Sequence, residues 1–163
     1  MADLAARLLA PAPGAQVLDV GAGVGKFCIV AALAYPEVTF VGVEQRPALV
    51  DLARDLAHQL GAANTRFLVG EALAIDWDDY QAFYLFNPFG EQSHQGAPPL
   101  DHTFGRDPQA FFANVRATRE RLLARPAGTR VVTYHGLGNR APPAFDVLQV
   151  DHATGPLERW TRR

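Results

Sequence analysis

Short apolar runs alternate along this chain with stretches whose apolar positions recur every three or four residues. The runs at 16–20, 38–43, 65–69, 82–86 and 129–134 are too short for helices and carry β-branched and aromatic residues. Each is expected to be a strand buried on both faces, because a parallel sheet covered by helices reads as an unbroken apolar run. Helical spacing marks residues 3–9, stopped by Pro11 and Pro13, and residues 48–60, which follow a first-turn Pro47 and end at Gly61. Residues 25–34 carry small and apolar side chains on every side, as a helix pressed against a sheet does, and helical spacing returns over 108–124. Residues 91–107 are polar, hold Pro98 and Pro99 and show little period, so a long loop is expected there. Two weaker strands at 146–151 and 157–161 flank Ala153-Thr154-Gly155-Pro156, the spacing of an antiparallel hairpin.

Strands alternating with helices imply an α/β fold, with a mostly parallel, doubly wound sheet covered by helices on both faces. The terminal pair adds the antiparallel hairpin. Such sheets take their ligands at the carboxyl ends of the strands, where the strand order reverses. A chain of 163 residues without repeats or composition breaks fits a single domain over 1–163, with 1–14 as a helical lead-in.

Composition narrows the function classes. Apolar residues make up 48%, charged residues 20%, and the formal net charge is −2, so no overall field draws the chain to nucleic acid or anionic membrane. The single cysteine, Cys28, has no internal disulfide partner, which fits a reducing compartment. No apolar run is long enough to span a bilayer, and the first residues make a poor signal peptide, so a cytoplasmic location is expected. No His/Cys cluster suggests a metal.

The chemistry concentrates in LDVGAGVGKF, residues 18–27. A P-loop needs glycine where Val20 stands and a magnesium-binding hydroxyl where Phe27 stands, so that reading fails. A dinucleotide fingerprint counted from Gly21 puts Lys26 in its third glycine position, a poor fit for close helix packing that leaves NAD or FAD a second choice. The spacing that remains is D-x-G-x-G-x-G, from Asp19 to Gly25. A carboxylate ahead of the loop repels phosphate and attracts an ammonium, so the implied ligand has an adenosine end and a cationic amino-acid end. S-adenosylmethionine has both. Glu44 ends the second strand 23 residues after Gly21, near where an acid meets ribose hydroxyls, and Glu71 follows the third strand, within reach of an adenine amine. The tight turn, a helix cap and a solvated turn residue are the bland alternatives for these three acids. Their joint placement after successive strands favours a ligand.

With these motifs the sequence resembles the class I, seven-stranded, Rossmann-like S-adenosylmethionine-dependent methyltransferases, from about residue 17 to the C-terminus. LDVGAGVGKF resembles the family's first motif, FVGVE its acidic second strand end, VGEAL its adenine-side loop, FNPFG the segment beside the methyl group and PLERW its closing hairpin. The resemblance implies that Asp19, Gly21, Ala22, Gly23, Gly25 and Phe27 surround the methionine moiety of S-adenosylmethionine, the product being S-adenosylhomocysteine. It places Glu44 and Gln45 at the ribose, and Glu71 and Ala72 at the adenine. Glu71 stands where aspartate is common. Asn87, Pro88 and Phe89 would face both donor and acceptor. In relatives with N-P-P-aromatic here, asparagine and a proline carbonyl accept hydrogen bonds from a target nitrogen while the ring packs on its plane. The present N-P-F-G is a partial match, and the bland reading is a turn that closes the core.

The resemblance therefore points to a methyltransferase acting on nitrogen, with a protein side chain favoured as acceptor and nucleic acid or a small amine as the alternative. A domain that binds the donor without catalysis is the rival from another class. His94, His102 and His135 are candidate bases by their ordinary pKa. Arg116, Arg119, Arg121 and Arg125 decorate one helix, and Arg159, Arg162 and Arg163 the tail. Such rows are usually solvated faces, so nucleic acid is compatible rather than indicated.

Overall fold

The computed structural model describes residues 1–92, 107–134, 136–137, 141–150, 155 and 157–163. The sequence-predicted strands and helices are all present there. They are α1 (Ala2–Leu9), β1 (Gln16–Val20), α2 (Lys26–Ala34), β2 (Thr39–Glu44), α3 (Pro47–Leu60), β3 (Thr65–Val69), β4 (Ala82–Phe86), α4 (Pro108–Leu123), β5 (Arg130–Tyr134), β6 (Phe145–Val150) and β7 (Leu157–Arg162). They form one seven-stranded sheet in the order β3-β2-β1-β4-β5-β7-β6. β1 to β5 are parallel, whereas β7 runs antiparallel to β5 and to β6. The order reverses between β1 and β4, and that is the switch point.

The ends of the helices follow from local chemistry. Pro47 opens α3 and Gly61 closes it at φ +74°. Asp107 caps α4, its side chain accepting hydrogen bonds from the backbone amides of Gln109 and Ala110, both at 3.0 Å, with Pro108 next. β2 runs to Glu44, one residue past the expected end, because its pairing with β3 continues to Glu44↔Val69. Ladder pairing likewise shifts β6 to Phe145–Val150 and extends β7 to Arg162. The expected loop at 91–107 begins with a 3-10 turn, Gly90–Gln92, and most of it lies outside the described residues, as do His94, His102 and His135.

Two cores flank the sheet. Phe27, Phe40, Tyr84 and Val132 meet α1, α2 and α3 on one face, where Phe27 stacks on Tyr84 at 3.9 Å between ring centroids. Trp77, Phe83, Leu85, Val131 and Trp160 meet Leu122 of α4 on the other. No helix joins β3 to β4; Trp77, fully buried, covers the sheet there by stacking on Phe83, its indole N–H donating to the Ala72 carbonyl at 2.8 Å. β2 passes very close to the glycine loop. A Cβ on Gly42 would lie 2.7 Å from that of Ala22 and 2.9 Å from the Phe67 ring. Gly42→Ala is accordingly expected to lower stability by about 1–3 kcal/mol in urea denaturation, the usual cost of overpacking.

Candidate active site

A cleft of about 380 Å³ opens at the switch point, over the carboxyl ends of β1, β2 and β4. On the β1 side its wall is backbone. Gly21 and Gly23 line it, and a Cβ on either would meet nothing within 4 Å, so both border open space. Gly25 differs. It turns into α2 at φ +73°, and a Cβ there would lie 2.6 Å from Phe67, so both conformation and packing demand glycine. Ala22 packs towards Gly42 and Phe27 into the core, which leaves Ala22, Gly25 and Phe27 outside the lining.

Glu44 stands at the rim of β2, and its carboxylate is braced from both sides. One oxygen accepts the Gly23 backbone N–H at 3.2 Å and the other accepts the Arg46 N–H at 3.0 Å. Bracing fixes the direction of the lone pairs that remain, which suits a ribose diol. Gln45 and Arg46 follow it into the lining. The Arg46 guanidinium lies 3.6 Å from Glu44 and forms a close ion pair with Glu91 across the cleft. Gly70 and Ala72 line the end towards β3, while Glu71 between them is exposed and outside the lining.

Asp19 is also outside the lining. Its side chain is buried on β1, where it accepts a hydrogen bond from the Cys28 thiol at 3.6 Å. Burial is the main cause that raises its pKa to about 7; the Cys28 bond opposes this and the charge of Glu44 adds to it. Burial likewise pushes the Cys28 thiol well up.

The third wall follows β4. Phe86, Asn87, Pro88 and Phe89 all line the cleft. Asn87 and Phe89 take left-handed backbone conformations, φ +44° and +64°. The chain thus doubles back through Pro88, with the Gly90 amide donating to the Asn87 carbonyl at 3.0 Å. A Cβ on Gly90 would collide with the Asn87 side chain. Left-handed non-glycine residues cost about 1–3 kcal/mol each and gather at functional sites. Phe86, at 46% exposed, stacks on Tyr134 at 5.1 Å.

Sequence reasoning finds the glycine wall, Glu44, Gln45, Ala72 and Asn87–Phe89, but misses Arg46, Phe86 and Glu91. The only signal for these was position: two residues after the acid, and on either side of the N-P-F-G turn.

The cleft fits an adenosyl donor without phosphate. Its charged side chains are two carboxylates and one guanidinium paired to both, so a diphosphate finds no uncompensated cation among the described lining residues. A doubly wound seven-stranded sheet closing in an antiparallel hairpin, with such a cleft at its switch point, defines the class I, Rossmann-like methyltransferases, which use S-adenosylmethionine. The chain belongs to the methyltransferase-domain family, whose model matches residues 11–135. Over 67 residues, 41% of this chain, it is 45% identical to the 23S rRNA (uracil(1939)-C(5))-methyltransferase RlmD of Alkalilimnicola ehrlichii, and that match spans 15% of the relative's length. Its fold matches that of an RNA methyltransferase from Salinibacter ruber in complex with S-adenosyl-L-homocysteine, with TM-score 0.72 and 24% identity over 99% of this chain and 89% of the other. TrmN from Thermus thermophilus matches with TM-score 0.69 and 22% identity over 98% of this chain and 47% of that one. Among the described residues no helix is long and apolar enough to cross a membrane.

Proposed function

We propose that this chain transfers the methyl group of S-adenosylmethionine to an amino nitrogen of an RNA base. The observation that carries the nitrogen is Asn87, held in a left-handed turn that lines the cleft. A carbon acceptor such as a pyrimidine C5 needs a nucleophile to activate the ring, and the one cysteine, Cys28, is fully buried behind the loop. The RNA is supported by the RNA methyltransferases to which the chain is similar and by the aromatic wall that Phe86 and Phe89 present to a planar acceptor.

When bound, S-adenosylmethionine supplies an electrophilic methyl group on a sulfonium. Glu44 accepts hydrogen bonds from the ribose hydroxyls, and the Gly21–Gly23 backbone lets the methionine moiety lie close to β1. Asn87 Oδ1 and the Pro88 carbonyl would accept the two N–H groups of an amino acceptor and turn its lone pair towards the methyl group. The N–C bond forms as the C–S bond breaks, S-adenosylhomocysteine leaves, and the proton shed by nitrogen passes to solvent. Phe86 and Phe89 keep water out. Alignment and water exclusion supply most of what a displacement on an already activated methyl needs.

Labelled methyl transfer into RNA and protein from cells lacking this chain tests the reading. Label is expected in RNA. Asn87→Gly keeps the left-handed turn and removes the amide, so at saturating donor it is expected to lower transfer by about ten- to a hundredfold. Label confined to protein would overturn the RNA assignment and favour a side-chain nitrogen. One observation favours that second reading: Arg121 of α4 reaches the carbonyls of Leu73 and Ile75, and Arg125, just past the helix end, pairs with Asp78, so these arginines are no open row of cations for phosphates.

A further inference from the structure

The acid assigned to the ribose is connected, bond by bond, to the segment assigned to the acceptor. The Gly23 amide donates to Glu44, Glu44 accepts from the Arg46 amide and lies 3.6 Å from its guanidinium, and that guanidinium pairs with Glu91. Glu91 belongs to the 3-10 turn that continues directly from Asn87-Pro88-Phe89. The next residue, Gln92, accepts from the Asn114 amide of α4 at 3.0 Å. The Arg46 side chain is only 13% exposed and that of Glu91 29%. An ion pair so shielded from water is screened far less than a surface pair, and a planar guanidinium can engage two carboxylates at once.

We propose that Arg46 is a positioning residue that ties the acceptor turn, residues 87–92, to the donor site, so that ribose binding at Glu44 steadies the turn that presents Asn87. The inference rests on the donor reading given above. Its physical basis is one carboxylate shared by both sites. In the absence of donor, Glu44 is shared between the Gly23 amide and Arg46, and its free lone pairs face the cleft. A ribose diol locks the carboxylate in place. Arg46 then has a fixed anion on one side, and Glu91 on the other is held against it. The turn is held at its start by the Asn87 amide, which donates to the Tyr134 carbonyl at 3.1 Å, at its end by the Asn114–Gln92 bond, and internally by bonds from the Gly90 amide to Asn87 and from the Gln92 amide to Phe89. Of these contacts it is the Glu91 ion pair that leads back to Glu44. Coupling of this kind is reciprocal, so an acceptor seated on the turn strengthens donor binding by the same factor.

Hydrogen exchange with S-adenosylhomocysteine as the probe reads the link without any acceptor. In the wild-type chain, saturation is expected to slow exchange at Gly21–Gly23 and also at the Gly90 and Gln92 amides. Glu91→Gln is expected to keep the first effect and to reduce the second by about fivefold, the scale of one partly shielded ion pair. Glu91→Asp, which keeps the charge, should recover part of it. Arg46→Gln, on the opposite rim, should show the same selective loss, which guards against a defect peculiar to the turn variant. Equal slowing at Gly90 and Gln92 in the wild type and in both pair-breaking variants would overturn the inference while leaving the donor reading intact. S-adenosylhomocysteine that fails to bind the wild-type chain would overturn both.

Discussion

Glu44→Ala is expected to weaken S-adenosylhomocysteine binding by two to four orders of magnitude in calorimetry, with NAD and ATP expected to bind neither the parent nor the variant. The size follows from what the carboxylate does. Hydrogen bonds to an ionised group contribute about 1.5–3 kcal/mol each, and two ribose hydroxyls meet this one. Their sum corresponds to a factor of about 10² to 10⁴ in dissociation constant. The substitution also removes the acceptor of the Gly23 amide, so the loop that should receive the methionine moiety loses one of its bonds to β2, the Gly21 and Ala22 amides still donating to the Val43 carbonyl. Glu44→Gln separates the two effects, because the amide can still accept from Gly23 and one hydroxyl. It should recover part of the loss. An unchanged affinity in Glu44→Ala would remove the ribose from β2 and with it the donor assignment.

The fold was legible because each boundary had a local cause. Pro47 and Gly61 frame α3, and the Asp107–Pro108 pair starts α4 with a cap and a fixed φ. Glu44 was legible for a related reason: an acid one residue beyond an apolar run must leave the sheet at its carboxyl end, where the switch point puts the cleft. Other features required distances across the sheet. Arg46 and Glu91 are 45 residues apart in sequence and meet only because β4 lies beside β1 and β1 beside β2. Asp19 shows the limit of motif reading. In a strand, side chains alternate between faces, so Val20 reaches the cleft while Asp19 points into the core shared by Cys28 and Tyr84. Glu71 is placed differently again, exposed on a turn whose neighbours Gly70 and Ala72 line the cleft.

That buried acid yields the second large effect. Unfolded, the Asp19 carboxyl ionises near its ordinary value of 3.8; folded, it holds its proton to about 7, chiefly because it is buried. Between those two values the folded chain binds more protons than the unfolded one, so stability falls as pH rises. The slope is about 1.4 kcal/mol per pH unit, and the total is on the order of 4 kcal/mol, complete above pH 7. Asp19→Asn removes this dependence and keeps an oxygen for the Cys28 thiol. The variant is therefore expected to be more stable than the parent at pH 8, with a melting temperature higher by roughly 8–16 °C for a chain of this size. Its advantage should shrink steadily towards pH 4 in urea titrations. An advantage that stays constant across that range would mean that Asp19 does not titrate in the folded chain. A core acid that lowers stability in this way has a reason to be retained if it serves the ligand, and Asp19 lies behind the loop that should hold a cationic amino acid. At pH 6 S-adenosylmethionine binding should then expel a proton from Asp19, seen as a binding enthalpy that varies with the ionisation enthalpy of the buffer, and Asp19→Asn should abolish that variation.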